Sequence, residues 1–389
     1  MSHSLTPQPL SHKLPKVLIV DDDLFMRTLL RAQLEAEKYH VFEAENGYQC
    51  LNAYQQYHPD IVLMDAQMPE MDGFTCCSKL KQSLDGMHTP VLMVTGLNDA
   101  ASVNLAFEAK ATDYITKPIN PNVLLGRLRR ILQAARAETA LREQHALLQK
   151  ELHQAAEYVS ALLPEPLQEK IVINRQFQPS LQLGGDALDY YWLDDENLVI
   201  YLVDVAGHGV KSALLSISVL NILRARSLPQ ADFHVPRSVL NKLNQIFQMS
   251  DRGEDYFTMW YGVYNCRSHQ LTYASAGHPP ALLISANPQE PVKQLDTGGI
   301  PIGMFPDFDF EDASQIVEAD TRLYVFSDGV YEISQPEGNI WGLDNFTSLL
   351  KDYQQSNANS LSYVLNKVKE INREQSLEDD FSLIEVVLK

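Results

Sequence analysis

The stretch YLVDVAGHGVKSALL, residues 201–215, ends an apolar run at Asp204, turns through Gly207-His208-Gly209 and continues as a helix-like segment. An aspartate in that place has two readings. It is the first residue of a glycine turn, formed for local reasons, or it is a metal ligand at a strand end. The second reading needs partners elsewhere in the chain. Asp186 follows a glycine pair in LGGDALDYYWL, Asp328 ends the apolar run of LYVFSDGV, and Asp379 with Asp380 opens LEDDFSLIEVVL. Each junction alone is an ordinary turn signal, but four at strand edges point to a shared carboxylate site.

The surrounding region alternates short apolar segments with turns. LVIYLVDVAG, YFTMWYGVYNC, QLTYASAGHPPALLIS, TRLYVFSDGV and FSLIEVVL read as antiparallel strands, and helices are expected near 209–226, 236–250 and 360–373. Strand runs with segregated helices predict an α+β sandwich.

The first third has another pattern. KVLIV, HVFEAE, DIVLMD, PVLMVT and TDYIT alternate with helical segments over residues 16–130, which predicts a parallel, doubly wound sheet. Ligands of such sheets sit at the carboxyl ends of the strands. Those ends carry Asp21-Asp22-Asp23, Asp65, Thr95 and Lys117-Pro118. Carboxylates crowded in one crevice call for a cation, and hard oxygen donors select Mg²⁺. A lysine and a hydroxyl beside them suit an anion, so the set describes a carboxylate that accepts a phosphoryl group.

Between the two regions no Gly or Pro occurs from Leu128 to Leu163, a composition that favours helix. Steps of three and four residues pick out Ile131, Ala134, Glu138, Leu141, His145, Leu148, Leu152, Ala155, Val159 and Leu162, eight of the ten apolar. That is a heptad seam. It predicts a parallel dimeric coiled coil, with a long helix packed on its own domain as the alternative; Pro164 and Pro166 stop it.

The 389 residues suggest two or three domains. Hydrophobic residues at 45% and charged residues at 21% are an ordinary globular balance. The net charge of −19 disfavours general nucleic-acid binding, and with no helix-turn-helix pattern a DNA-binding regulator is set aside. No apolar run reaches the roughly 18 residues of a membrane span, and the first 16 residues lack the apolar core of a secretory signal. Cys50, Cys76, Cys77 and Cys266 form no C-x-x-C pair and suit a reducing compartment. A cytoplasmic protein is expected. The expected domains are a disordered arm (1–14), an α/β domain (15–130), a helical linker (131–163) and an α+β domain (164–389).

VLIVDDD, VLMDAQMPEMDGF, TPVLMVTG and DYITKP, in that order and spacing, resemble the response-regulator receiver family, the CheY-like domains of flavodoxin-like fold. The resemblance implies Asp65 as phosphoacceptor, Mg²⁺ held by Asp21, Asp22, Asp65 and the Gln67 carbonyl, Thr95 and Lys117 on the phosphoryl group, and Tyr114 as the aromatic switch. Asp23 reads as a helix N-terminal charge. A cognate histidine kinase is the implied phosphodonor.

LLPEPL, GGDALDY, DVAGHGVKSALL, SAGHPPALL, GGIPIGM, SDGVYE and DDFSL resemble the PPM metal-dependent Ser/Thr protein phosphatases, in the branch of SpoIIE and RsbU. The resemblance implies that Asp204 bridges two Mn²⁺ or Mg²⁺ ions, that the Val205 carbonyl binds one, and that Asp186, Asp328 and Asp379 complete the cage, with Asp380 the second choice of its pair. Four aspartates can hold two ions roughly 3.5–4 Å apart and acidify a water for in-line attack, and all-oxygen donors suit these metals. Asp189 is a candidate for the surroundings of the cage, while His208 and His278 read as structural. Ala187, Leu188 and Ala206 depart from the branch's usual residues without removing a ligand, and no phosphate-binding arginine is identified.

The expected protein is therefore a two-component response regulator with a phosphoserine/phosphothreonine phosphatase as output, dimeric through its linker. By the same resemblance its substrate is a phosphorylated STAS-type anti-sigma-factor antagonist in a partner-switching circuit. The rival is a pseudophosphatase adaptor that binds a partner without chemistry.

Overall fold

The computed structural model describes residues 14–96, 100–168, 170–180, 183–248, 256–335, 338–356, 360–372 and 377–388. The chain divides into two compact units, Met1–Leu147 and Leu148–Lys389. The arm expected over 1–14 lies outside the described residues except for its last position, and the expected helix end at 249–250 lies outside them as well.

The first unit runs β1 (Lys16–Val20), α1 (Leu24–Ala36), β2 (His40–Ala44), α2 (Gly47–Tyr57), β3 (Ile61–Asp65), α3 (Gly73–Gln82), β4 (Val91–Thr95), α4 (Ala100–Glu108), β5 (Asp113–Thr116) and the start of α5 (Pro121–Leu162). Its five strands are parallel, in the order β2-β1-β3-β4-β5. β3 and β4 are buried along their whole length, because a parallel sheet covered by helices on both faces needs continuous apolar strands. One core cluster joins the sheet to α2 and α3 through Tyr54, Cys76 and Leu80. The other joins it to α1 and α5 through Leu30, Leu34, Leu124 and Leu128.

α5 is a single helix of 42 residues. Its heptad seam is not uniformly open. Ile131 is buried in the core of the first unit. In the second unit, Leu152, Ala155 and Val159 pack with Leu183 and Ala213. The exposed seam is confined to Ala134, Glu138, Leu141, His145 and Leu148.

The second unit continues β6 (Leu167–Gln168), β7 (Val172–Gln178), β8 (Ala187–Trp192), β9 (Asn197–Val205), α6 (Val210–Arg224), α7 (Pro236–Ile246), β10 (Phe257–Asn265), β11 (Gln270–Ala276), β12 (Ala281–Ile284), β13 (Lys293–Leu295), β14 (Ala313–Ile316), β15 (Thr321–Phe326), α8 (Leu343–Gln355), α9 (Ser362–Asn372) and β16 (Phe381–Leu388). One antiparallel sheet has the order β14-β11-β10-β9-β8, and the other β13-β12-β15-β16-β7-β6. A core built around Leu202, Trp260, Leu323, Val325, Ile384 and Val386 draws on both sheets. α6 and α7 cover the outer face of the first sheet through Val219, Leu223, Leu240 and Leu243. α8 and α9 cover the second through Phe346, Leu350, Val364 and Val368.

The sequence expectation does not name the strands β6, β7, β8, β13 and β14, and two further features differ from it. QLTYASAGHPPALLIS is two strands in different sheets, β11 and β12, because Gly277 takes a φ of +65° and two prolines follow His278. α8 is an additional helix whose buried Phe346, Leu350 and Tyr353 fall on one face.

Candidate functional site

In the first unit, β1 and β3 are neighbours and their carboxyl ends bring the expected acids together. Carboxylate oxygens of Asp21, Asp22 and Asp65 lie within 4.8 Å of one another. Asp21 and Asp65 are buried, and Asp22 is exposed. Lys117 extends between the buried pair, its Nζ 3.2 Å from Asp21 Oδ2 and 3.1 Å from Asp65 Oδ1. Burial raises the pKa of the Asp65 carboxyl, and Lys117 opposes the rise. Burial lowers that of Lys117, but Asp65 and Asp21 outweigh it and the lysine ends above its ordinary value.

Thr95 is buried at the end of β4, and Gln67 is exposed two residues beyond Asp65. Tyr114 is half-buried, edge-on to Phe107 at 6.2 Å, with the Arg127 guanidinium 5.9 Å from its ring centre. Asp23 caps α1 by accepting the Phe25 amide at 2.9 Å, the local role expected of it. Sequence reasoning passed over Arg27. It is 4% exposed and donates to the carbonyls of Asp21 (2.8 Å) and Asp22 (3.1 Å), which sets the backbone that presents both acids.

In the second unit, the aspartates come from strand ends of both sheets. Asp186 precedes β8, Asp204 is the penultimate residue of β9, Asp328 opens a 3₁₀ turn after β15, and Asp379 and Asp380 precede β16. Glycines let these segments meet. A Cβ on Gly184 would fall on the Asp380 carboxylate at 1.6 Å, and one on Gly185 would lie 2.5 Å from the Val205 carbonyl.

The charges here are unbalanced. Burial and then the nearby acids Asp328, Asp379 and Asp380 push Asp204 up to about 8. Asp186 is raised by burial, then by Asp204 and Asp380. Asp328 is pushed up to about 6 by burial, then by Asp379 and Glu332. Among the described residues no three carboxylates of this cluster meet within 4.8 Å, in contrast with the first unit. Asp186 Oδ2 is buried with no hydrogen-bond partner.

The acidic doublet splits by environment. Asp380 is 1% exposed, and its two oxygens accept the amides of Ser180 (2.8 Å) and Asp186 (3.2 Å). Asp379 is exposed and lines a cavity of about 200 Å³ with Asp328, Glu332 and Glu378. A second cavity, of about 190 Å³, is lined by Val205, Gly207, His208 and Lys211. His208 is exposed, whereas His278 is buried behind the strand that pairs with β9. Asp189 is engaged elsewhere: Arg224 of α6 donates to it at 2.6 Å, which ties that helix to β8.

The donors fit divalent cations. They are all oxygens, one of them is an orphaned buried carboxylate oxygen, and the excess negative charge calls for compensation. Among the described residues no helix is long and apolar enough to cross a membrane.

Comparison with known proteins matches the two units to two different families. Residues 194–389 match the Stage II sporulation protein E (SpoIIE) family, and residues 17–129 match the response regulator receiver domain. The chain is 31% identical over 223 residues to phosphoserine phosphatase RsbU of Bacillus subtilis, covering 56% of this chain and 64% of that protein. It is 31% identical over 210 residues to phosphoserine phosphatase RsbP of the same organism, covering 53% of this chain and 50% of that one. It thus spans less than two thirds of the length of either. The solved SiaA-PP2C domain of Pseudomonas aeruginosa aligns with a TM-score of 0.55 at 20% identity, over 63% of this chain and 99% of that domain, a likeness of fold. The chain belongs to the SpoIIE family, carrying a response regulator receiver domain ahead of its phosphatase-family domain.

Proposed function

We propose that this protein is a two-component response regulator whose output is a metal-dependent phosphoserine/phosphothreonine protein phosphatase. The observation that carries the reading is the convergence of Asp186, Asp204, Asp328 and Asp379 from strand ends of two sheets, with their charge uncompensated and Asp186 Oδ2 orphaned.

In this reading Asp204, with Asp186, Asp328, Asp379 and the Val205 carbonyl, would hold two Mn²⁺ or Mg²⁺ ions, Asp204 being the ligand that both would share. Two such ions would supply an acidified water and neutralise phosphoryl charge. Asp379, exposed and lining the cavity, with one carboxylate oxygen on the Asp380 amide and the other in no hydrogen bond among the described residues, is the ligand of the doublet. Asp380 is a clamp, since its oxygens already hold two backbone amides.

In the receiver, Asp65 accepts a phosphoryl group from a histidine kinase, and Asp21, Asp22, Asp65 and the Gln67 carbonyl hold Mg²⁺. Thr95 and Lys117 receive the phosphoryl oxygens, and Tyr114 responds to them. Likeness to two phosphoserine phosphatases supports a phosphoserine protein as substrate. We take that substrate to be a STAS-type anti-sigma-factor antagonist in a partner-switching circuit in the cytoplasm. The exposed Leu141 and Leu148 of α5 support a homodimer through the linker.

The test is Mn²⁺-dependent hydrolysis of a phosphoserine protein by the full chain and by Asp204→Asn. Turnover that falls at least about a hundredfold in the variant is expected, because changing even the groups around a ligand costs 10–100-fold. No turnover by the folded, metal-supplied wild type would favour the adaptor instead.

A further inference from the structure

His278 has no part in the cage, yet it is placed with unusual constraint. It is 4% exposed, its Nε2 makes no hydrogen bond of regular geometry, and the Phe326 backbone lies close enough to act on the ring. Its backbone carbonyl accepts the Ser275 hydroxyl at 3.2 Å. The residue before it, Gly277, has a φ of +65°, and a Cβ there would meet Pro301 at 2.6 Å. Burial pushes the imidazole pKa down to about 3, so the ring is neutral. A neutral ring with one nitrogen short of a regular hydrogen bond is a poor core residue; an apolar side chain would fill the space without that cost.

The regular hydrogen bond of this ring joins Nδ1 and the Thr258 hydroxyl, at 2.8 Å. Thr258 is the direct cross-strand partner of Asp204 in the β9–β10 ladder. Side chains directly opposite in an antiparallel pair share a face, with their Cβ atoms about 4.5–5.5 Å apart. A threonine side chain has few χ1 wells, and a bond to a fixed ring selects one of them.

We propose that His278 and Thr258 are a positioning pair for Asp204: the buried ring fixes the rotamer of Thr258, and Thr258 limits the rotamers open to the carboxylate across the ladder. The proposal rests on the reading of Asp204 as a metal ligand. Groups that orient a ligand typically change metal affinity about 10–100-fold when removed.

Mn²⁺ titration calorimetry on the full chain tests it, with the receiver's own acidic site as internal reference. Thr258→Val keeps the shape but loses the hydroxyl, and His278→Leu removes the ring nitrogen. Each is expected to weaken Mn²⁺ binding at the C-terminal site about 10–100-fold. The double variant should be no weaker than the poorer single, since both break one link. Thr258→Ser and His278→Asn, which keep a polar atom in place, should restore most of the affinity. Wild-type affinity in Thr258→Val would overturn the proposal even if His278→Leu fails to fold. Equal losses in His278→Asn and His278→Leu would overturn it too, since ring volume alone would then matter. A wild-type chain that takes up Mn²⁺ only at the receiver would overturn the cage reading, and the positioning role with it.

Discussion

Both units gather aspartates at strand ends, but they handle the repulsion differently. In the receiver, Lys117 sits between Asp21 and Asp65 at 3.2 and 3.1 Å, and three carboxylates tolerate a spacing under 4.8 Å. In the C-terminal unit the strongest charges acting on Asp204 are other acids, and the cluster is looser. A built-in cation lets a site stay assembled between signals, whereas a site whose largest charge effects come from other acids depends more on ions from solution. On the proposed function, the first suits a switch that accepts and loses a phosphoryl group, and the second a centre whose chemistry would come from bound metals.

Metal removal should separate the two sites most strongly. Mn²⁺ at a hundred times its dissociation constant adds about 2.7 kcal/mol per site. Thermal unfolding of chelated and reloaded protein should therefore show a larger gain in the C-terminal unit than in the receiver, and equal gains would break the contrast. Next in size, Lys117→Met removes the receiver's cation. It should cost the receiver about 1–3 kcal/mol in the absence of Mg²⁺, since buried carboxylates lose their partner, and should enlarge the stabilisation that Mg²⁺ then gives.

A smaller effect is expected from pH. Asp204, held near 8 when folded, keeps its proton in the native chain at pH values where the unfolded chain has lost it. The chelated protein should accordingly lose stability as pH rises from about 6.5 to 8. The neutral His278 acts in the opposite direction, but only below about 6.5, the ordinary histidine value. Unfolding midpoints across that upper window should fall for the chelated wild type and fall less steeply in Asp204→Asn, where buried Asp186 still acts. A flat wild-type profile would count against burial as the cause. The smallest effect on either site belongs to the linker. Leu141→Glu with Leu148→Glu should shift sedimentation toward monomer while leaving Mn²⁺ uptake unchanged.

How much of this was legible in the sequence follows from the same contrast. Parallel strands send their carboxyl ends to one crevice, so Asp21, Asp65, Thr95 and Lys117 are legible from strand order alone. In the C-terminal unit the acids come from two sheets whose pairing no local pattern reveals. Asp186 and Asp328 became candidates by their glycines and their family likeness. The doublet Asp379-Asp380 is symmetric in sequence, and the amides of Ser180 and Asp186 break the symmetry only in the fold. Thr258 could not be read because its place beside Asp204 is a matter of register. The seam of α5 was legible as a period, but which of its positions are open depends on Ile131 and Val159 entering the cores of the two units.

The most direct test of the whole account is the rate of phosphoserine-protein hydrolysis by the full chain before and after beryllofluoride loads Asp65, with Asp65→Asn alongside. The expected result is a change of rate on loading that is absent in Asp65→Asn, while chelation abolishes turnover in both. An Mn²⁺-dependent rate that ignores beryllofluoride in the wild type would contradict control of the phosphatase by the receiver.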